Sequence, residues 1–599
     1  MFAFAPLLAL VATRQAEAGA ARAALLAQCA DCHPAQSASY AQTGMARALE
    51  PLRAGELAGL APVTEPGTGF FYSFEGDGAG ARVIERYAAE EHSSGASAAP
   101  LRDSAPIAFA IGAGALDRSY ALLRAGRYWF APLEVVGHGA ERHAALAPGH
   151  AMQPGTRFTQ ALTPECLGCH TDAPPPGAWP LNLAPRGWEP SGISCAACHA
   201  RLAEHVRVRS RELAGAAPLP GEERDPLLAE REWSRVARME RCAACHLQGD
   251  ARIELDPRRV GPPPPGTPLL ATRAVFVARE PGDEVGFVSQ VERLVLSRCY
   301  LESAAFPDDA LACESCHDPH RSVFEPAERQ HVRAACLACH EPVSAGARRA
   351  SECALPRAER PPARDCVACH MRATGVFDVA EVEIHDHWIR RAPATPNRPK
   401  TLRFPESASG DWRLFAWPDE AAATSAELAR DPGPWTMALA HGGHRERARE
   451  FLAQGLGARA RDLPMLHHVR GSLLEQAGDL PAARQAYERA LALDPELAAS
   501  ATNLAPLLAR AGEAAAGKDL LDDLIRRHPL ADSAYRNRAV VRLALGDEAG
   551  CRADLETAMK LLPDAGLAQA LARFAEQRGD AASVLRWSEE ARRLDPRLP

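Results

Sequence analysis

The chain has 599 residues, enough for several domains, and a formal net charge of −8 that implies neither a nucleic-acid partner nor an acidic substrate. Aromatic residues are sparse at 6%, whereas Pro (49) and Gly (44) are abundant, a composition rich in loops and poor in large core side chains. Seventeen Cys would be unusual in a reducing cytosol, which points to an oxidising compartment or to chemistry that consumes thiols.

In chain order, Phe2–Ala12 is a short apolar run followed by Ala16-Glu17-Ala18. It reads as the hydrophobic segment and small-x-small cleavage site of a signal peptide spanning residues 1–18, although a basic leader is missing. Eleven apolar residues are too few to span a bilayer, and no other segment looks transmembrane. Export to the periplasm or beyond is the expectation. Residues 20–50 read as a helix bearing Cys29-Ala30-Asp31-Cys32-His33, with Met45 nearby as a possible metal ligand or core residue.

From about 65 to 160 the pattern changes. FFYSF at 70–74, IAFAIGAG at 107–114, SYALL at 119–123 and RYWFAPLEVV at 127–136 are β-type runs punctuated by Gly, Asp and Arg, and predict a small antiparallel insertion. His92, His138, His143 and His150 lie in or beside it.

The five-residue pattern of Cys29–His33 then recurs six times, at Cys166/Cys169/His170, Cys195/Cys198/His199, Cys242/Cys245/His246, Cys313/Cys316/His317, Cys336/Cys339/His340 and Cys366/Cys369/His370. Chance would supply about 0.02 copies at these residue frequencies. Two thiols at this spacing add across the vinyl groups of one haem, and the following His lies under the iron. Structural zinc gives no reason for a His directly after the second Cys, and a redox pair would not recur seven times. The motifs therefore predict seven covalently attached haem c groups, with porphyrin filling much of a domain over 19–394.

Each iron needs a second axial ligand, and the candidates are His320, His205, His387, His385, His331, His150 and His143, each with an ordinary surface His as the alternative. His320 and His205 follow their own motif His by three and six residues. Neither folds easily back across its own porphyrin, so each is expected to cap a neighbour. Of the three remaining Cys, Cys299 and Cys353 could pair as a disulfide or stay as thiols, and Cys551 reads as a small core residue.

Residues 395–430, rich in Pro, Ser and Asp, are expected to be a linker. Beyond it Gly478, Gly512 and Gly546 are spaced by 34, as are Pro495, Pro529 and Pro563, which is the period of tetratricopeptide repeats. The best copy has Gly471, Leu474, Ala483, Tyr487, Ala490 and Pro495, and a weaker one around Gly443–Phe451 begins an array of about five over 431–599. Such a solenoid offers a concave surface to a peptide or protein partner, or serves as a structural cap. The expected fold class is thus mainly α: a haem-packed domain with a small β insertion, followed by an α-solenoid.

CESCHDPH at 313–320, followed by CLACH, resembles the doubled-motif multihaem cytochromes c. IGAGALDRSYALLRAGRYWFAPLEVV at 111–136, LAPGH at 146–150, CAACHLQGDARI at 242–253, SRCYLES at 297–303 and VEIHDHWIRR at 382–391 resemble bacterial multihaem cytochromes with C-terminal tetratricopeptide repeats. That group is similar to the multihaem cytochromes of nitrifiers, which accept electrons from hydroxylamine oxidation. CAACHARLAEH at 195–205 departs from the group, which more often has Gly-Pro-Gly after the motif. The resemblance implies electron transfer between donor and acceptor proteins. The alternative is an oxidoreductase acting on a small nitrogen or sulfur compound at an open haem. Electron transfer leads, because no Lys replaces a motif His and the histidines are numerous enough to saturate every iron.

Overall fold

The computed structural model describes residues 24–87, 101–114, 116–137, 139–173, 182–185, 187–217, 225–256, 261–306, 310–340, 366–391, 402–405, 410–420, 430–453 and 462–598. The β-type runs form a nine-stranded antiparallel sheet rather than a small insertion. Its strands are β1 (Leu49–Glu50), β2 (Val63–Thr64), β3 (Phe70–Glu75), β4 (Arg82–Tyr87), β5 (Leu101–Ile111), β6 (Asp117–Arg124), β7 (Arg127–Phe130), β8 (Leu133–Val136) and β9 (His143–Leu146). The path runs β2-β3-β4-β5-β6-β8-β9, with β1 added on β5 and β7 on β6.

The expectation underestimated this region because two-residue strands such as β1 and β2 carry no readable alternation. Between β6 and β7, Ala125 (φ 48°) and Gly126 (φ 71°) make a two-residue loop with both φ positive, the turn whose twist matches paired strands. The sheet rolls round Phe70, Tyr72, Tyr120, Leu122, Trp129, Leu133 and Phe158, all buried.

The motif-bearing segments fold as short helices and small sheets. Arg235–His246 is a helix capped by Ser234, whose side chain accepts from the Ala237 amide at 3.2 Å. Beyond it β10 (Ala251–Glu254) pairs with β11 (Arg273–Ala278), and β12 (Ala373–Gly375) pairs with β13 (Glu383–His385). A second core gathers Val236, Met239, Leu247, Val275, Leu294 and Tyr300.

Five antiparallel helix pairs follow, the first being 432–441 with 445–453 and the last 565–577 with 581–594. The periodic glycines sit where each first helix ends: Gly478, Gly512 and Gly546, and Gly579 after a further 33 residues, have φ of 84°, 86°, 74° and 70°, the left-handed conformation of a helix C-cap. At Gly471 a Cβ would come within 2.6 Å of the Tyr487 ring, so the small residue is what lets those two helices close.

The linker expectation fails for its described part. Trp412–Leu414 is a strand, β14, paired antiparallel with β11, and Trp412, Phe415 and Trp417 are buried. Trp412 and Phe276 share one core with Met437, Leu439 and Leu466, so the first repeats pack directly on the β10-β11-β14 sheet. Farther along, Arg127 of β7 donates to Asp532 at 2.6 Å and Arg157 bonds the Leu594 carbonyl, which ties later repeats to the nine-stranded sheet. No described helix is long and apolar enough to cross a membrane. The expected signal peptide lies outside the described residues.

Candidate haem-binding site

On a helix, positions i, i+3 and i+4 share one face. The motif spacing therefore turns both thiols and the imidazole the same way, as at the C-terminal ends of the helices Arg235–His246 and Pro326–His340 and on the short helix Cys366–His370. Cys313–Cys316 is one helical turn that ends at His317, whose extended backbone leads into Pro319 and His320.

These faces converge. One cavity of about 2960 Å³ takes at least one wall residue from each of the seven motifs. That is about three times the upper end of an ordinary small-molecule pocket, roughly 1,000 Å³. The first five motifs each contribute both Cys and the His, whereas the sixth and seventh contribute Cys336 and Cys366. Cys339, His340, Cys369 and His370 are not part of that wall. Neighbouring motifs are close enough for their thiols to interact: Cys29 with Cys195, Cys169 with Cys245, Cys242 with Cys313, and Cys336 with Cys366. Paired thiols with an imidazole after each, around one large apolar-walled cavity, fit haem c.

Three motif histidines face a non-motif histidine. Ring centroids are 6.3 Å apart for His33 and His205, 6.2 Å for His199 and His320 with planes only 6° apart, and 6.3 Å for His317 and His387. Two imidazoles binding one metal from opposite sides, at about 2.0–2.1 Å per bond, hold their centroids roughly 6 Å apart. The spacing suits a shared iron.

The outer nitrogens are held as well. Nδ1 of His205 meets Asp225 Oδ1 at 2.9 Å, Nδ1 of His199 meets Glu230 Oε2 at 3.3 Å, and Nδ1 of His320 meets Asp318 Oδ1 at 3.2 Å. His246 Nδ1 meets Gln290 at 3.2 Å, His370 Nδ1 the Arg390 carbonyl at 2.8 Å and His387 Nδ1 the His385 carbonyl at 3.0 Å. Each contact leaves Nε2 for a metal and fixes the ring that carries it. Burial, with His317 beside it, pulls His387 down to about 4, so its imidazole is neutral and able to ligate. Between His385 and His387, Asp386 is buried and takes both oxygens to Arg293, at 2.9 and 2.6 Å. That anchor holds one side of the extended segment while both imidazoles line the cavity.

Other candidates have different surroundings in this structure. His143 spends Nδ1 on the Glu141 carbonyl at 3.0 Å and Nε2 on Glu381 at 2.7 Å, which leaves no nitrogen for a metal. His150 is buried beside the sheet with Nε2 on the Arg157 carbonyl at 2.5 Å. His331 is exposed on the helix Pro326–His340 and is not part of the cavity wall. The wall does include His385 and Met45. His92, His138 and Cys353 lie outside the described residues, so the pairing of Cys299 with Cys353 does too. Sequence reasoning missed the buried carboxylates Asp225, Glu230 and Asp386. Only Asp386, inside His-Asp-His, had a local signal.

Fold and site together define a chain with doubled CXXCH motifs, whose residues are of the kind that hold haem c, followed by repeats of the tetratricopeptide type. A doubled CXXCH motif family matches residues 306–345, and a tetratricopeptide repeat matches residues 464–497. No curated protein matches the chain. Among solved structures, MamA of AMB-1 is similar at 20% identity, covering 29% of this chain and 94% of its own, with a TM-score of 0.25. MamA 41-end from Desulfovibrio magneticus RS-1 is similar at 16% identity, over 29% and 98%, with a TM-score of 0.26. PilW, a type IV pilus biogenesis factor, is similar at 16% identity over 28% and 78%, with a TM-score of 0.26.

Proposed function

We propose that this chain is an exported or periplasmic cytochrome with seven haem c groups, passing single electrons between protein partners, one of them held by the repeats. The observation that carries the reading is the single cavity to whose wall all seven motifs contribute. Haem c held by such residues supplies a one-electron Fe(III)/Fe(II) couple. The paired cysteines would hold each group by two thioether bonds, and each motif histidine would offer its iron a nitrogen. His205, His320 and His387 would offer a second nitrogen at the first, third and fifth motifs, with His385 a candidate for one more.

The connectivity supports a conducting role. His205 follows the third motif and faces the first, His320 follows the fifth and faces the third, and His387 follows the seventh and faces the fifth. Short chain segments therefore tie successive odd-numbered sites together, as rapid hopping requires. Where two imidazoles face one site they would leave no position for a small substrate, which favours a carrier role at the first, third and fifth motifs. Haem attachment of this kind takes place outside the cytoplasm, and the apolar run Phe2–Ala12 fits export.

Reductive titration of the mature holoprotein tests the reading. It should take up seven electron equivalents reversibly and return them to an added one-electron acceptor. Uptake of fewer, or electrons that are not returned, would contradict it.

A further inference from the structure

The three facing histidine pairs differ in what lies on their outer nitrogens. In the pair His33/His205 only His205 has a carboxylate there, Asp225 at 2.9 Å; among the described residues His33 has none. In the pair His317/His387, His387 donates to a backbone carbonyl at 3.0 Å, while Glu328 stands 3.4 Å from His317 Nδ1 and spends the same oxygen on the Asp318 amide at 2.9 Å. His317 Nδ1 makes no hydrogen bond. Only His199/His320 has a carboxylate on both sides, Glu230 at 3.3 Å and Asp318 at 3.2 Å.

Both carboxylates are themselves fixed. Glu230 is 6% exposed, and its other oxygen accepts from the Ala200 amide at 2.8 Å, directly after His199. Arg241 approaches it at 3.2 Å and keeps the buried group paired. Asp318 accepts from the His320 amide at 3.0 Å and reaches Arg321 at 3.3 Å. With Nε2 turned to a metal, Nδ1 carries the proton and donates to the carboxylate. That bond gives the imidazole partial imidazolate character, raises its basicity and favours the ferric over the ferrous state.

We infer that Glu230 and Asp318 are positioning residues that make the haem iron between His199 and His320 the lowest-potential of the three so paired. This rests on the reading of that pair as axial ligands. Among the first, third and fifth sites the middle one then fills last, so an electron arriving at either neighbour rests there before crossing. The potential of that site is tuned by side chains that act through its two imidazoles.

Potentiometric titration of holoprotein carrying Glu230→Gln, followed by optical and EPR spectra, tests the inference. The amide keeps an acceptor and removes the charge, so one component should move to higher potential while the low-spin signal and the haem content stay as in the parent. Because Glu230 is buried, Asp318→Asn is the companion: its side chain is 36% exposed, so the substitution disturbs packing less. It should move the same component in the same direction. A low-spin spectrum with no shift in either variant, or shifts of two different components, overturns the tuning role and leaves the ligand pair standing. Absence of a low-spin bis-imidazole signal from the parent protein overturns the ligand pair itself, and this inference with it.

Discussion

At the scale of single residues, covalent chemistry and through-space chemistry were unequally legible. The seven motifs could be read because two thioether bonds and an axial nitrogen demand one fixed local spacing. Which histidine faces which motif depends on tertiary placement, so spacing could say only that His205 and His320 would not serve their own sites. The structure sets them against His33 and His199. His143 and His150 misled because their sequence position near the second motif says nothing of sheet register, which ties their nitrogens to Glu381 and to the Arg157 carbonyl. Glu230 gave no signal because it reaches His199 from 31 positions away. His320→Ala should leave every attachment residue untouched and retain all seven haem groups. One iron should pass from low to high spin, and reduction of sites beyond it should slow. An unchanged EPR spectrum in that variant would show that His320 is an ordinary turn residue.

Among elements, the repeats were the most legible, because a 34-residue period follows from one helix pair packing on the next. Each periodic Gly has its physical reason in a positive φ at a helix end. The segment Trp412–Leu414 was missed because three residues give too little alternation to mark a strand, and the surrounding Pro, Ser and Asp suggested solvent. Its burial is what joins the two halves: Trp412 is 1% exposed, meets Phe276 at 6.1 Å between ring centroids, and meets His444 edge-on at 5.5 Å. Trp412→Ala should cost about 3–5 kcal/mol, the usual range for truncating a buried aromatic. Denaturant unfolding would measure it. Limited proteolysis should spare residues 410–420 in the parent and cut there in the variant; cleavage of the parent at that segment would contradict the packing.

Across the whole molecule the repeats do not hang free. Their first helices share a core with β11 and β14, and later repeats meet the nine-stranded sheet through Arg127, whose side chain is 4% exposed and lies 4.7 Å over the Trp129 ring as it reaches Asp532. Breaking a buried ion pair of this kind by removing one partner leaves an uncompensated charge, which is the costly outcome. The array is therefore held near both ends against the motif-bearing part, so a partner bound to it would be carried at a fixed distance from the cavity. The proposed conducting role requires a haem at every motif. The most direct measurement is the intact mass of the mature, exported protein under denaturing conditions, where only covalently attached haem remains. The account predicts a single species carrying seven haem additions; six or fewer on fully matured protein would contradict it.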